Sequence, residues 1–489
     1  MSLLHNSSCE CTKSELDLFS VPPTQTSIEK GQWEEFHPIS TISDGGPIEF
    51  FVPGSGEEYM DLNQSQLYLK AKITKADGSN LTDADHVGPV NLFLQSLFSQ
   101  IDVSLNERLI SPSTPTYPYR ALLETLLSYG SDAKNSQLTT ALFYKDTAGK
   151  MDSANPMAGD ENVNQGLKRR HEFTKNSQVV DMIGPIHSDI FFQDRHMLNG
   201  VDVKLKFIRS SNAFCLMATG PNPNYKVVIL DASLFVRKVK VSSAVMLGHM
   251  KALEKGTAKY PIKRNICKMV SVPRGNLTLT QDHVFLGQLP NRIVVGCVTN
   301  EAFNGRYGKN PFNFHHMNIN FLTVHVDGEQ IPYSPLQPKF AGPAKHYIRS
   351  YQTLFSGTDK MYQDDGNIIS RDDYAAGYAL FAFDLSLDLS TGGHFNLVKR
   401  GTLRLDVHFA RPLEETINLI IYAEFNNIIE VDQAPNIIFG YSGLIDCQHY
   451  NRLRTRIKST TFLKRIASPN MTSRESLPAI NSLNVTSLV

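Results

Sequence analysis

The sequence predicts an all-β chain built as two tandem jelly-roll β-sandwiches, a double jelly roll with short lateral helices. Three observations carry that prediction. Apolar and polar residues alternate over many short runs, the period of two expected of strands with one buried face. Helical periodicity is rare and brief. The order strand, polar turn, strand, helix, long insertion, strand, strand occurs twice, about 200 residues apart, far longer than any solenoid period.

Taken in chain order, residues 1–46 hold Pro, Ser, Thr and the single tryptophan, Trp33, without sustained periodicity, and read as an extended N-terminal arm. Residues 47–241 make the first jelly roll. There Leu67, Leu69, Ala71 and Ile73 alternate with Tyr68, Lys70, Lys72 and Thr74. The run from Val103 to Ile110 reads as a strand, a turn and a short strand. A stripe of Leu122, Leu123, Leu126 and Leu127 predicts a helix over 119–130, capped by Gly130. After the insertion Ser131 to Asn176, Gly200 opens a strand through Val203, Leu205 and Phe207, and a long apolar strand follows from Tyr225 to Val241.

Residues 242–261 are read as a linker helix, with Met246, Met250 and Leu253 on one face and Gly256 at its end. Residues 262–432 repeat the pattern. Val324 to Ile331 matches Val103 to Ile110, and Tyr347, Ile348, Tyr351, Leu354 and Phe355 predict a helix over 347–357 ending at Gly357. The insertion Thr358 to Tyr374 comes next, then alternation through Phe381, Phe383, Leu385, Leu387 and Leu389. Gly401 opens a strand through Leu403, Leu405, Val407 and Phe409, and a long apolar strand runs from Ile417 to Asp432. Pro273-Arg274-Gly275 and Thr391-Gly392-Gly393 punctuate these runs. Residues 433–489 form a C-terminal tail with a basic segment. Many strands, long loops and few helices indicate sandwiches, in which two sheets hide their apolar faces against each other.

Composition bounds the function. Lys and Arg total 48 and Asp and Glu total 48, so the chain lacks the basic balance of a dedicated nucleic-acid binder. A hydrophobic fraction of 41% with 20% charged residues is ordinary for a globular chain. No apolar run reaches the length of a membrane-spanning helix, so membrane insertion is not expected. Met1 to Glu10 carries no secretory pattern, and 6 cysteines in 489 residues are no disulfide framework. The expectation is a soluble protein of a reducing compartment, in which the Asn-x-Ser/Thr sequons at Asn6, Asn63, Asn80, Asn276, Asn470 and Asn484 are accidental.

Catalytic and cofactor motifs are weak. There is no Gly-x-Ser-x-Gly, no phosphate-binding lysine loop and no His-Glu-x-x-His. His315 and His316 fall on a predicted strand, where neighbouring rings point to opposite faces and cannot chelate one metal. Cys9-Glu-Cys11 lacks a second Cys/His pair at zinc spacing, and Asp364-Asp365-Gly366-Asn367 lacks the ligand series of a calcium loop. The sequence therefore assigns no catalytic residue, no cofactor and no metal.

Several blocks together resemble the major capsid protein of Polinton (Maverick) elements and adintovirus-like viruses. They are Gly45-Gly46-Pro47-Ile48-Glu49-Phe50, Asn91 to Leu94 with Leu97 to Gln100, Ala258 to Pro261, and Phe285 to Pro290. Ala302 to Gly305, Asn310 to Phe314, Gly377 to Leu385 and Tyr422 to Phe425 continue the likeness, which spans about residues 35–435. The resemblance implies a non-enzymatic subunit of an icosahedral DNA virus or virus-like transposable element. Three copies would form a pseudo-hexagonal capsomer, with the long insertions as towers and clasps between subunits. It also implies neighbouring capsomers and a minor single jelly-roll vertex protein as partners. The location would be the virion capsid, with synthesis in the cytoplasm and assembly in the host nucleus or cytoplasm. The rival reading is a carbohydrate-binding or cupin-like jelly-roll protein, with hydrolytic activity as one form of it. A cupin needs clustered His and carboxylate ligands that this sequence does not offer at recognisable spacing.

One stretch stands apart in charge. Between His449 and Ile466 lie Arg452, Arg454, Arg456, Lys458, Lys464 and Arg465, without an acidic residue. Such a run is either a solvated tail or a contact for packaged DNA or for an acidic capsid partner.

Overall fold

A computed structural model of the chain describes residues 5–42, 45–159, 161–220, 223–364, 366–389 and 394–440. The first half contains β1 (Ile28–Phe36), β2 (Ile48–Val52), β3 (Glu58–Lys75), β4 (Val87–Pro89) and β5 (Phe98–Leu105). It continues with β6 (Arg108–Leu109), β7 (Val180–Pro185), β8 (Val203–Arg209), β9 (Leu216–Ala218) and β10 (Tyr225–Val241). Its helices are α1 (Phe93–Ser96), α2 (Tyr117–Ser128), α3 (Ser131–Asn135), α4 (Gln165–Thr174) and α5 (Asn212–Cys215), and α6 (Ser243–Leu253) follows. The second half contains β11 (Ala258–Val272), β12 (Thr278–Gln281), β13 (Arg292–Thr299), β14 (Ile319–Val326) and β15 (Glu329–Leu336). Then come β16 (Leu380–Asp384), β17 (Leu403–Phe409), β18 (Ile417–Val431) and β19 (Ile437–Phe439), with α7 (Asn300–Asn304), α8 (Ile348–Ser356) and α9 (Arg371–Ala375) between strands.

The strand orders are the same in both halves. One sheet of the first half runs β1-β10-β3-β7, and one of the second runs β11-β18-β13-β16 with β19 added beside β18. The remaining large sheets run β2-β8-β5-β6 and β12-β17-β14-β15. With β4 and β9, which pair with each other, and β19 set aside, each place in one half is filled in the other by the strand of corresponding rank, and every pair is antiparallel. The predicted equivalences follow: α2 and α8 each come after a hairpin, and the strands after Gly200 and Gly401 are β8 and β17. The hairpin turns agree as well, since Asn106-Glu107 and Asp327-Gly328 all have positive φ, as a two-residue hairpin loop requires.

The alternation read from the sequence is the burial pattern of the strands. Leu67, Leu69, Ala71 and Ile73 on β3 face inward, as do Val203, Leu205 and Phe207 on β8. Phe207 meets Phe50 edge-on at 5.8 Å and Phe98 at 5.0 Å, an aromatic row across the buried face of the neighbouring strands β2, β8 and β5. This is a double jelly roll.

Local differences from the sequence reading have physical reasons. Part of the stretch read as an arm, Ile28–Phe36, pairs with β10 from Ile28↔Val241 to Phe36↔Leu234. It is an edge strand rich in Glu, Lys and Gln, so its sequence carries no clean alternation. The helix α2 ends at Tyr129 rather than at Gly130, which has extended angles and opens α3. Its end is held instead by Lys134, whose Nζ donates to the Leu126 carbonyl at 2.7 Å. Gly357 does close α8, but with right-handed angles. Its role is space, because a Cβ there would stand 2.9 Å from the Cβ of Ala382 on β16.

The alternation through Leu389 outruns its strand. β16 stops at Asp384, which pairs with Arg292 at the start of β13, and beyond it Leu387 and Leu389 are exposed. His315 forms an isolated bridge to Cys297 and His316 follows it, so neither lies in a regular strand. The punctuating Thr391-Gly392-Gly393 lies outside the described residues, as does Asp365 of the Asp364–Asn367 run.

Candidate functional site

The polar chemistry of the described residues concentrates where the two barrels meet. Helix α2 leaves the first barrel's hairpin and packs on β11 and β18 of the second. Its leucines face the core, while Arg120 and Glu124 lie one turn apart on its flank, 2.9 Å from Nε to Oε1. Arg120 Nη2 donates to Asp189 Oδ1 at 2.7 Å, and Nη1 donates to the Asn265 carbonyl at 3.4 Å. Glu124 accepts from Asn265 Nδ2 at 2.8 Å and from the Tyr422 hydroxyl at 3.4 Å, and His187 Nδ1 lies 2.7 Å from its other oxygen. Asn265 also donates its backbone N–H to Asp189 at 3.0 Å. Asn265 and Tyr422 belong to β11 and β18, so this buried network spans both barrels.

Its electrostatics follow from burial and charge. Burial opposes ionisation of Glu124, yet Arg120 and His187 outweigh it and hold the carboxyl at about 2. At Asp189 burial prevails and the pKa is raised, with Arg120 and the Asn265 N–H pulling the other way. The Tyr422 hydroxyl is raised by burial and by Glu124. Charged, desolvated and multiply bonded groups of this kind fix geometry, since any displacement leaves a buried charge unpaired.

A second clasp comes from the insertion after α2. Asp146 accepts from Arg170 Nη2 at 2.6 Å, from Asn164 Nδ2 at 2.8 Å and from Asn310 Nδ2 at 3.0 Å. Its backbone carbonyl accepts from the Tyr378 hydroxyl at 2.8 Å. Arg170 is fully buried and also donates to the carbonyls of Pro89 and Tyr144. Next to it, Lys145 donates to Asp373 and to the Ile368 carbonyl, each at 2.6 Å. Asn310, Ile368, Asp373 and Tyr378 belong to the second half, so this insertion ties the two halves of its own chain. Tyr119 adds an aromatic joint, stacked on Phe303 at 5.5 Å and meeting Phe312 edge-on at 5.7 Å.

The residues singled out from sequence lie elsewhere. The basic run Arg452, Arg454, Arg456, Lys458, Lys464 and Arg465 is outside the described residues. Cys9 and Cys11 are exposed free thiols. His315 Nε2 stands 3.8 Å from Asp152, whereas His316 stacks on Phe340 at 4.3 Å with the rings nearly parallel. Burial pushes His316 down to about 4, helped by His315 and Lys345. Among the described residues no three His, Cys, Asp or Glu side chains are grouped to hold a metal ion, and no helix is long and apolar enough to cross a membrane. The junction network went unread in the sequence. Its one local signal is an i, i+4 Arg–Glu pair inside an otherwise apolar helix.

No protein-family model matches the chain. It is 25% identical over 434 residues to an uncharacterized protein of Caenorhabditis elegans, covering 86% of this chain and 99% of that one. Its architecture is similar to that solved for the Sputnik virophage by cryo-EM, with a TM-score of 0.63, 10% identity, and coverage of 91% of this chain and 96% of the other. The Faustovirus major capsid protein aligns with a TM-score of 0.53 and 9% identity over 85% of this chain and 93% of its own. The mavirus major capsid protein aligns with a TM-score of 0.51 and 11% identity over 97% of this chain and all of its own, 100%.

Proposed function

We propose that this chain is a major capsid protein, a structural subunit without catalytic activity, and that three copies form a pseudo-hexagonal capsomer of an icosahedral shell. The observation that carries the reading is the doubling of one strand order in one chain, with the two barrels joined by buried hydrogen bonds that Glu124 and Asp146 accept from Asn265, Tyr422, Asn310 and Tyr378. A rigid tandem pair repeated about a threefold axis presents six similar barrels in a ring, which can tile a surface by closed symmetry. The architecture shared with the virophage and giant-virus proteins supports this use. The nematode relative, matched over nearly its whole length, fits an element of the Polinton or Maverick kind carried in animal genomes. In that setting the partners are neighbouring capsomers and a single jelly-roll vertex protein, and the basic segment 449–466 meets packaged DNA on the inner face of the virion.

The test is mass in solution together with negative-stain imaging. Trimers with hexagonal outlines, buried by well over about 1,000 Å² of interface, are expected. A monomer at micromolar concentration would overturn the proposal.

A further inference from the structure

Two apolar surfaces before β11 are only partly covered among the described residues. The first is the segment before β1. Leu16, Leu18, Phe19 and Val21 all project into solvent, and Phe19 is 99% exposed. This segment carries Glu10, Glu15 and Asp17 against the single lysine Lys13. The second is α6, which has no fully buried residue: Val245, Met246 and Leu253 rest partway on Tyr59, Leu198 and Val241, while Leu247 and Met250 are exposed. Beneath α6 opens a groove of about 570 Å³ lined by Tyr59, Leu198, Val245, Leu253, Ala258 and Tyr260. Tyr59, Leu198 and Val241 form a small apolar cluster there, separate from the main core. The Tyr59 hydroxyl and His249 Nδ1, 3.0 Å apart, fix its wall.

Exposed helices and apolar grooves of this size mark contact surfaces rather than free ones. The charge around this groove identifies what it fits. Arg195 and Lys259 line it, both exposed, against the carboxylate of Asp194, a basic excess that suits an acidic apolar segment. Ser27 and Ile28 line one end of the groove, yet within a single chain the segment leaves it and stays in solvent. From Ile28 back to Phe19 the chain can span about 30 Å, enough to cross to a neighbouring molecule.

We infer that the N-terminal arm of one copy seats in the groove beneath α6 of a second copy. Leu16, Leu18 and Phe19 enter among Val245, Leu253 and Tyr260, and Glu15 and Asp17 meet Arg195 and Lys259. The inference rests on the proposed self-association and assigns it a surface.

Disulfide trapping between full-length chains tests it. In a background of Cys9→Ser, Cys11→Ser and Cys447→Ser, one tagged population carries Phe19→Cys and a differently tagged one carries Ala252→Cys. After mixing and mild copper oxidation, a covalent species bearing both tags is expected on a non-reducing gel. Adding Leu18→Asp to the first population should lower its yield about tenfold, the cost of placing a charge in an apolar contact. Phe19 and Leu18 are exposed in the single chain, so neither change threatens folding. Absence of the mixed species overturns the inference. So does a chain carrying both cysteines that closes its disulfide internally while the mixed populations stay apart, which would seat the arm in its own groove. A trimer without the mixed species removes the arm exchange alone; a monomer removes the capsid reading with it.

Discussion

Replacing Arg120 by methionine keeps the bulk of the side chain but leaves Glu124 and Asp189 buried without their cation. Breaking a buried pair from one side costs about 3–5 kcal/mol. An independent route gives a similar size. Holding Glu124 at about 2 instead of 4.5 is worth roughly 3 kcal/mol at neutral pH, at about 1.4 kcal/mol per unit. If the whole unit up to Tyr441 melts cooperatively, a loss of about 4 kcal/mol lowers Tm by about 4 °C; if one barrel melts alone, by about 10 °C. The pH dependence has a defined sign. Because the folded pKa of Glu124 is depressed, its contribution is fully present above 4.5 and fades as pH falls from 4.5 through about 2. In Arg120→Met the pull of Arg120 is gone and only His187 and the hydrogen bonds oppose burial, so the carboxyl rises and its charged form contributes less at neutral pH. The gap between wild type and variant is therefore widest near pH 7.5 and narrows steadily on acidification. Differential scanning fluorimetry at pH 7.5 and pH 4 measures both. A Tm within 1 °C of wild type at pH 7.5, or a gap that widens at pH 4, would refute the reasoning.

Gly54→Ala should cost about 1–3 kcal/mol in a urea melt, because its Cβ would collide with the Val201 backbone; Gly31→Ala, with nothing within 4 Å, should be neutral. Burial lowers Lys134 from 10.5 to about 7, so protonating it opposes folding below that value and the penalty disappears as pH rises toward 10.5. Wild type should thus gain Tm between pH 7 and 9.5 relative to Lys134→Met, as read by the same fluorimetry. Truncation after Gly443 should leave the trimer intact in ultracentrifugation while weakening DNA binding at low salt. The full chain's log–log salt slope should be no steeper than roughly −5, the limit for six phosphate contacts. Loss of the trimer would instead make the tail part of the assembly contact.

The architecture was legible because strand periodicity and hairpin turns are local properties. Leu67 to Ile73, Val203 to Phe207 and the two hairpins announce themselves within ten residues of chain. β1 was not legible, since Ile28–Phe36 lies at a sheet edge where polar residues are favoured on both faces. The end of β16 was misread because Leu387 and Leu389 keep the alternation after the pairing partner has run out. The junction network was illegible for a different reason. Arg120 and Glu124 are neighbours on a helix, but Asp189, Asn265 and Tyr422 reach them only through the tertiary fold.

The place of the last long strand in each barrel bears on how the chain is made. β10 lies between β1 and β3, and β18 lies between β11 and β13. A ribosome delivers these strands after the neighbours they must join, so each nascent sheet carries an open slot flanked by two unpaired edges until its final strand emerges. Closing that slot needs partners roughly 120–210 residues apart, the kind of long-range pairing that folds slowly. A premature stop anywhere before Ile417 leaves the second slot empty, open to any extended segment of another chain. Truncated products should therefore associate by strand insertion, and co-translational chaperoning matters most while β18 is still inside the exit tunnel.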